Sequence, residues 1–181
     1  MQREEGRKGT KLDKITRLAE KADAKSAKRA RKKDDLADNA IAALKQLGYA
    51  RTSLRDIAEL SGVAVGTLHY YFEDKADLIT YCVLRYKSGF MAEMQSILSA
   101  DVAPDQLSDR FVKGLSLSIR RDAETHRLWY DIRAQAMFDP AFHAVVAEIE
   151  AALVDLVAEF LNRTGQTDIA PGTAYMMLDA P

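Results

Sequence analysis

An all-α fold is what this sequence predicts, and three observations carry that expectation. Apolar residues recur at helical spacing through most of the 181 residues, and no alternating run of the kind a strand needs stands out. Three of the four prolines, Pro104, Pro140 and Pro171, open helical patterns. Thr52 to Leu78, TSLRDIAELSGVAVGTLHYYFEDKADL, reads as two short helices joined by a tight turn, with a third helix close behind. At 48% hydrophobic, the chain has enough apolar material for a core.

The elements follow in order. Residues 1–33 carry thirteen Lys or Arg against five Asp or Glu, and the remaining residues carry thirteen against twenty-two. The near-neutral net charge of −1 therefore hides a basic N-terminal extension. Its Ala and Lys content favours helix once something stabilises it. Leu12, Ile15 and Leu18 form a short apolar stripe. Such an arm can condense onto phosphates and release counterions; a solvated, frayed extension is the blander reading.

Residues 34–80 are expected to be a three-helix domain. Asp34 and Asp35 suit the start of its first helix and Gly48 the end, with Leu36, Ala40, Ile41, Leu44 and Leu47 facing inward. Ser53 is a good N-cap for the second helix, whose apolar face is Leu54, Ile57, Ala58 and Leu60. Ser61-Gly62 ends it, and Val63 pins the turn. Ala64 to Phe72 forms the third helix, crowded with Gly66, Thr67, His69, Tyr70 and Tyr71. Glycine and threonine are poor helix formers, so packing alone does not account for this composition. The layout is a helix-turn-helix, whose second helix lies in the major groove of DNA.

Residues 81–181 are expected to be a helical ligand-binding and dimerisation domain. A long helix from Glu73-Asp74 to about Ser99 enters it from the first domain. Pro104 opens the next, with Leu107, Phe111, Leu115 and Leu117 available for burial. Glu124 to Phe138 and Pro140 to Leu161 follow, with Thr164-Gly165 as a stop, and Pro171 to Leu178 begins a last helix. The chain ends abruptly at Leu178-Asp179-Ala180-Pro181, so either a truncated final helix or an incomplete dimer surface is expected.

The run AIAALKQLGYARTSLRDIA, then SGVAVGTLHYYF, then EDKADLI, resembles the DNA-binding domain of TetR/AcrR-type transcriptional regulators. About forty contiguous residues carry the match; beyond residue 80 it rests on an all-helical pattern alone. The resemblance implies a ligand-responsive regulator, repression being the family's commoner mode. Such a protein binds a palindromic double-stranded DNA operator as a homodimer and is released by a small-molecule effector. Thr67 resembles a position that touches phosphate or a base edge, and Tyr70 one whose ring reaches bases. Tyr71 and Lys75 resemble phosphate clamps, and Arg55 a position that reaches a guanine or the backbone. Thr52 and Ser53 add hydroxyl or amide contacts, while Val65 and Gly66 allow close approach. His69 is a further candidate DNA contact, standing where the family usually has Tyr. Val145, Ile149, Ala152, Leu156 and Phe160 are candidates for the dimer interface, with the core of the same chain as the alternative for each.

The effector site is less legible. Trp129, Arg133 and Met137 share a helical face, and with Phe90, Met94 and Leu115 they are the candidate lining of an apolar pocket with few polar anchors. Arg133 has Asp131 and Asp155 as alternative partners. An aromatic stripe is also what ordinary core packing looks like.

Other classes find little support. There is no C-x-x-C, H-E-x-x-H or G-x-x-x-x-G-K-[ST] pattern, so neither an enzyme nor a metal or cofactor site is expected. The single Cys82 sits among Tyr81, Val83 and Leu84 as a core thiol, which fits a reducing cytoplasm. No signal peptide or membrane span is apparent. The alternative is a helical-bundle interaction module that binds DNA non-specifically through its basic arm.

Overall fold

The computed structural model describes residues 5–49 and 51–178, with side chains from 14 to 49 and from 51 to 176. The expectations for Leu12 and for Asp179 to Pro181 lie outside them. The helices are α1 (Glu5–Leu47), α2 (Leu54–Leu60), α3 (Val65–Tyr71), α4 (Lys75–Leu98), α5 (Pro104–Arg121), α6 (Ala123–Gln135), α7 (His143–Thr164) and α8 (Pro171–Leu178). A 3-10 turn, Pro140–Phe142, precedes α7. The described residues contain no strand.

The first helix corrects the sequence reading. It does not start at Asp34 but runs unbroken for 43 residues, about 65 Å at 1.5 Å per residue. The reason is local. From Thr16 to Lys33 the chain holds no Gly or Pro and is dominated by Ala, Lys, Arg and Glu, all strong helix formers. Asp34 does a different job from capping. Its carboxylate accepts a 2.7 Å hydrogen bond from the Tyr81 hydroxyl and lies beside Arg85, which donates to the Asp34 carbonyl at 2.7 Å and pairs with Asp38 at 3.0 Å. These contacts tie α1 to α4.

Two apolar clusters result, and α4 belongs to both. Leu36, Ala37 and Ala40 of α1 pack with Ile57, Ala58, Leu68 and Phe72, and with Leu78 and Cys82 of α4. One position further along α4, Ile79 and Val83 turn to the second cluster, with Phe90, Met94 and Leu98. That cluster includes Phe111, Leu128, Trp129, Phe142, Ile149 and Leu156. One rigid rod therefore carries residues of both cores. Cys82 is fully buried, and burial pushes its thiol up to about 12, as a core thiol requires.

Other differences are smaller. Leu60 and Leu117 are exposed, at 51% and 55%, although both were expected in apolar faces. α6 ends at Gln135, so Met137 and Phe138 are not on its face and point outward. The dimer candidates Val145, Ile149 and Leu156 are buried within the chain, and Phe160 stacks on Phe111 with ring centroids 4.5 Å apart. The cover for this face of α7 comes from α4, α5 and α8 of the same chain. Gly165 closes α7 with φ of 74°, the left-handed conformation that glycine adopts without a Cβ clash.

Candidate functional site

The helix-turn-helix is built by short-range chemistry. The Ser53 hydroxyl accepts from the Asp56 N–H at 3.2 Å, and the Asp56 carboxylate accepts from the Ser53 N–H at 2.8 Å, a reciprocal capping box. The same carboxylate accepts from the Ser53 hydroxyl at 2.6 Å, and these bonds hold Asp56 below the usual carboxylate range. Gly62 then takes φ of 63°, and the Val63 N–H returns to the Ala58 carbonyl at 2.9 Å, which turns the chain into α3. Leu68 and Phe72, at 0% and 1% exposed, anchor α3 to the core.

That anchoring decides what α3 presents. Gly66, His69 and Tyr70 are exposed on its outer face, with Tyr70 at 66%; Val65, Thr67 and Tyr71 are half-buried. The Tyr70 and Tyr71 rings meet edge to face at 4.9 Å. A Cβ added at Gly66 would meet no atom of the protein within 4 Å. Internal packing therefore does not require the glycine, although it weakens a seven-residue helix. Arg55 is exposed on α2.

Three of the expected contact residues have partners inside the domain. Thr52 is only 3% exposed and its hydroxyl donates to the Gly48 carbonyl at 2.5 Å, so its side chain closes the α1–α2 turn and does not face outward. Ser53 is exposed, but the capping box occupies both its hydroxyl and its N–H. Lys75 donates to the Tyr49 carbonyl at 2.7 Å with its ammonium 4.1 Å from the Tyr49 ring. Burial lowers its pKa from the ordinary lysine value. Of the three N–H donors an ammonium carries, one is thus engaged inside the domain.

Sequence reasoning missed the neighbour of α3. The middle of α1 runs beside it and the two border an open trough of about 650 Å3, lined by Lys25, Lys28, Arg29, Lys32, Tyr70 and Tyr71. The Arg29 guanidinium lies 5.4 Å from the Tyr70 ring centroid, in cation–π range. Arg29 and Lys32, with Ala22, Lys25 and Ser26, recur at helical spacing; that period was readable once α1 was known to be continuous.

A second site lies in the C-terminal half. A cavity of about 120 Å3 is enclosed by α4 to α8, with Lys87, Phe90, Phe111, Leu115, His126 and Leu156 in its wall. Of the six expected lining residues, Phe90 and Leu115 are there. Met94 and Trp129 are core, at 0% and 1% exposed. Arg133 and Met137 border a different groove, between α6 and α7. Arg133 pairs there with Glu150 at 2.6 Å, not with Asp131 or Asp155, and Met137 is 76% exposed. The expected face failed because α6 ends before Met137 and because its inward side is already covered. Lys87 was overlooked, although it interrupts the apolar series Val83, Phe90, Met94 at a buried helical position.

His126 in this cavity has its pKa lowered, first by burial and then by the Lys87 ammonium, with Asp122 opposing. A histidine depressed in the folded state supports stability above its unfolded pKa of about 6.5. That support is lost as pH falls through the lower folded value. Urea unfolding is therefore expected to show stability falling on the acid side of pH 6.5, and His126→Gln to flatten that slope. An unchanged slope would show that His126 does not stay neutral on folding.

Comparisons with known proteins agree with this geometry. Residues 36–82 match the family model described as "Bacterial regulatory proteins, tetR family". The HTH-type transcriptional regulator BetI of Proteus mirabilis is 25% identical over 114 residues, which cover 62% of this chain and 57% of that protein. The probable acrEF/envCD operon repressor of Escherichia coli is 31% identical over 88 residues, 47% of this chain and 40% of its own length. The chain thus spans little more than half, or less, of these relatives. A TetR transcription regulator from Haloarcula marismortui superposes with a TM-score of 0.71 at 18% identity, covering 82% of this chain and 80% of that one. That likeness concerns the fold. No described helix is long and apolar enough to cross a membrane.

Proposed function

We propose, from the premise that this chain belongs to the tetR family of bacterial regulatory proteins, that it is a ligand-responsive transcriptional repressor. As a homodimer it holds a palindromic operator through two copies of α3, and it lets go when a small molecule enters the cavity between α4 and α8. The observation that carries this reading is the outer face of α3. Gly66, His69 and Tyr70 stand exposed there while Leu68 and Phe72 fix the helix from behind. A helix of this kind suits a major groove, where a tyrosine ring can lie against thymine methyl groups. Thr67, Tyr71, Arg55 and Lys75 border that face and are the proposed phosphate and base-edge contacts. The basic side of α1 adds sequence-independent phosphate contacts beside it.

Dimerisation supplies the reach, since a palindrome repeats its half-sites about one helical turn apart. Release is proposed to work through α4. Ile79 faces the core beneath the DNA-binding domain, and Lys87 in the cavity lies eight residues further along, about 12 Å. A ligand that favours one position of this rod shifts the spacing of the two α3 helices. No reaction is proposed for the chain; the relatives it matches are named as regulators.

Selection of bound sequences from random duplexes, followed by titration of the selected operator, tests the reading. Tyr70→Ala is expected to erase the preference for the operator while leaving the fold intact, because the ring is mostly exposed. Lys75→Ala should weaken binding to every sequence and lower the salt slope by about one unit. Gly66→Ala should stabilise α3, by up to about 1 kcal/mol, and yet weaken operator binding by crowding the duplex. Light scattering should find a dimer. Absence of any salt-dependent attachment to DNA by the dimer would remove the proposal.

A further inference from the structure

We infer that the basic part of α1 docks on duplex DNA as a rod held in fixed rotation, with six cations of one face set along the phosphate backbone beside the groove that α3 enters. They are Lys14, Arg17, Lys21, Lys25, Lys28 and Lys32. The inference rests on the operator-binding reading above and adds to it a contact surface that runs beyond the trough.

The spacing is the starting point. Successive cations are three, four, four, three and four residues apart, which keeps them on one side of a helix with 3.6 residues per turn. The stripe covers about 27 Å of axis at 1.5 Å per residue, the length of about eight base-pair steps. Glu20 and Asp23, the acidic residues within this span, turn away from it. Like charges three and four residues apart repel on a helix, and interleaved carboxylates would relieve that. The segregation therefore works against the helix on its own. A row of phosphates reverses the sign of the effect.

Three further observations give the stripe its partner. Every side chain from Lys14 to Lys32 is exposed, and among the described residues none of the six cations is in an ion pair. The stripe is continuous with the outer face of α3. Lys25, Lys28 and Lys32 share the trough with Tyr70 and Tyr71, and the Arg29 guanidinium lies 5.4 Å from the Tyr70 ring centroid. Its rotation is fixed from the other end, because Leu36, Ala37 and Ala40 of the same unbroken helix are buried. Lys14, Arg17 and Lys21 lie outside the trough and extend the stripe away from the core. An anionic membrane surface fits less well, since Ile15 and Leu18 are the only large apolar side chains described on this part of α1.

Exchanging neighbouring residues tests the rotation without changing the charge. Glu20→Lys with Lys21→Glu, Ala24→Lys with Lys25→Ala, and Ala27→Lys with Lys28→Ala turn three cations about 100° round the axis. Each moves only about 1.5 Å along it. All the exchanged positions are exposed, and circular dichroism checks the helix content. The full chain is titrated against random duplexes at three salt concentrations. The exchange variant should lose about 30- to 300-fold in affinity at 0.1 M salt, and about two to three units of salt slope, for each bound subunit. Lys14→Gln, Arg17→Gln and Lys21→Gln together, outside the trough, should also lower the slope by about two to three units. Should the exchange variant lose helix, the glutamine variant decides. Binding by the folded exchange variant at the wild-type level means a loose tail and overturns the inference. An unchanged slope in the glutamine variant confines the contacts to the trough and overturns it as well. So does an exchange variant that keeps its hold on DNA and loses attachment to phosphatidylserine vesicles, which assigns the stripe to a membrane surface. In each of these cases the wild type still binds DNA, and the operator-binding reading stands. No salt-dependent attachment of the wild type to any duplex overturns both.

Discussion

Replacing Lys25, Lys28, Arg29 and Lys32 together with alanine is expected to cost this protein about 100- to 1000-fold in affinity for any duplex at 0.1 M salt. The four cations line one trough beside Tyr70 and Tyr71. Each phosphate contact contributes about 0.9 to the slope of log affinity against log salt. The slope should therefore fall by about two to four units, according to how many of the four reach the backbone at once. The ratio between operator and random DNA should change little, because phosphate contacts carry no sequence information. Alanine is the best helix former, so α1 should persist, and circular dichroism checks that. Titration of the quadruple variant against operator and random duplexes at three salt concentrations reads all of this. An unchanged slope would mean that the trough faces solvent when the protein is on DNA.

Trp129→Ala should destabilise the fold by about 3–5 kcal/mol. The indole is 1% exposed, within the cluster formed by α4, α6 and α7, and its ring lies under the Lys87 ammonium. Its removal leaves a cavity and also strips an aromatic face from a buried charge. Domains of ordinary stability hold about 5–15 kcal/mol in total, so the variant should be close to unfolding at 37 °C. Trp129 is the chain's only tryptophan, so urea unfolding must be followed by helix circular dichroism. Met137→Ala is the natural control. That residue is 76% exposed, and its replacement should stay within about 0.5 kcal/mol. Equal effects at the two positions would return Trp129 and Met137 to a common face.

These two expectations show where reading the chain succeeds and where it stops. The turn and caps of the DNA-binding domain were legible because their chemistry spans three or four residues. Ser53 and Asp56 satisfy each other, Gly62 alone permits the left-handed turn, and Leu68 with Phe72 fixes which side of α3 is hidden. The same local logic should have predicted a continuous α1. The acidic pair Asp34-Asp35 resembled a helix start, yet nothing upstream breaks the helix. Thr52 was misjudged for a different reason. A hydroxyl at a helix entrance serves a phosphate and a nearby carbonyl equally well, and only the position of Gly48 settles the choice.

Helical periodicity says that a residue is covered without saying by what. Trp129, Arg133 and Met137 have identical spacing along the chain, but one is core, one pairs with Glu150 and one is open to solvent. Val145, Ile149 and Leu156 look equally fit for a dimer interface and for the interior, and the interior took them. The sequence by itself determined the all-α class, the helix-turn-helix and the face α3 presents, because neighbours within a turn or two enforce each of these. Only the tertiary structure decided that the basic middle of α1 lies beside α3, and that Lys87, Phe111, His126 and Leu156 wall one cavity. Those groups sit on helices whose relative placement comes from packing between segments distant in the chain, and no local pattern encodes it.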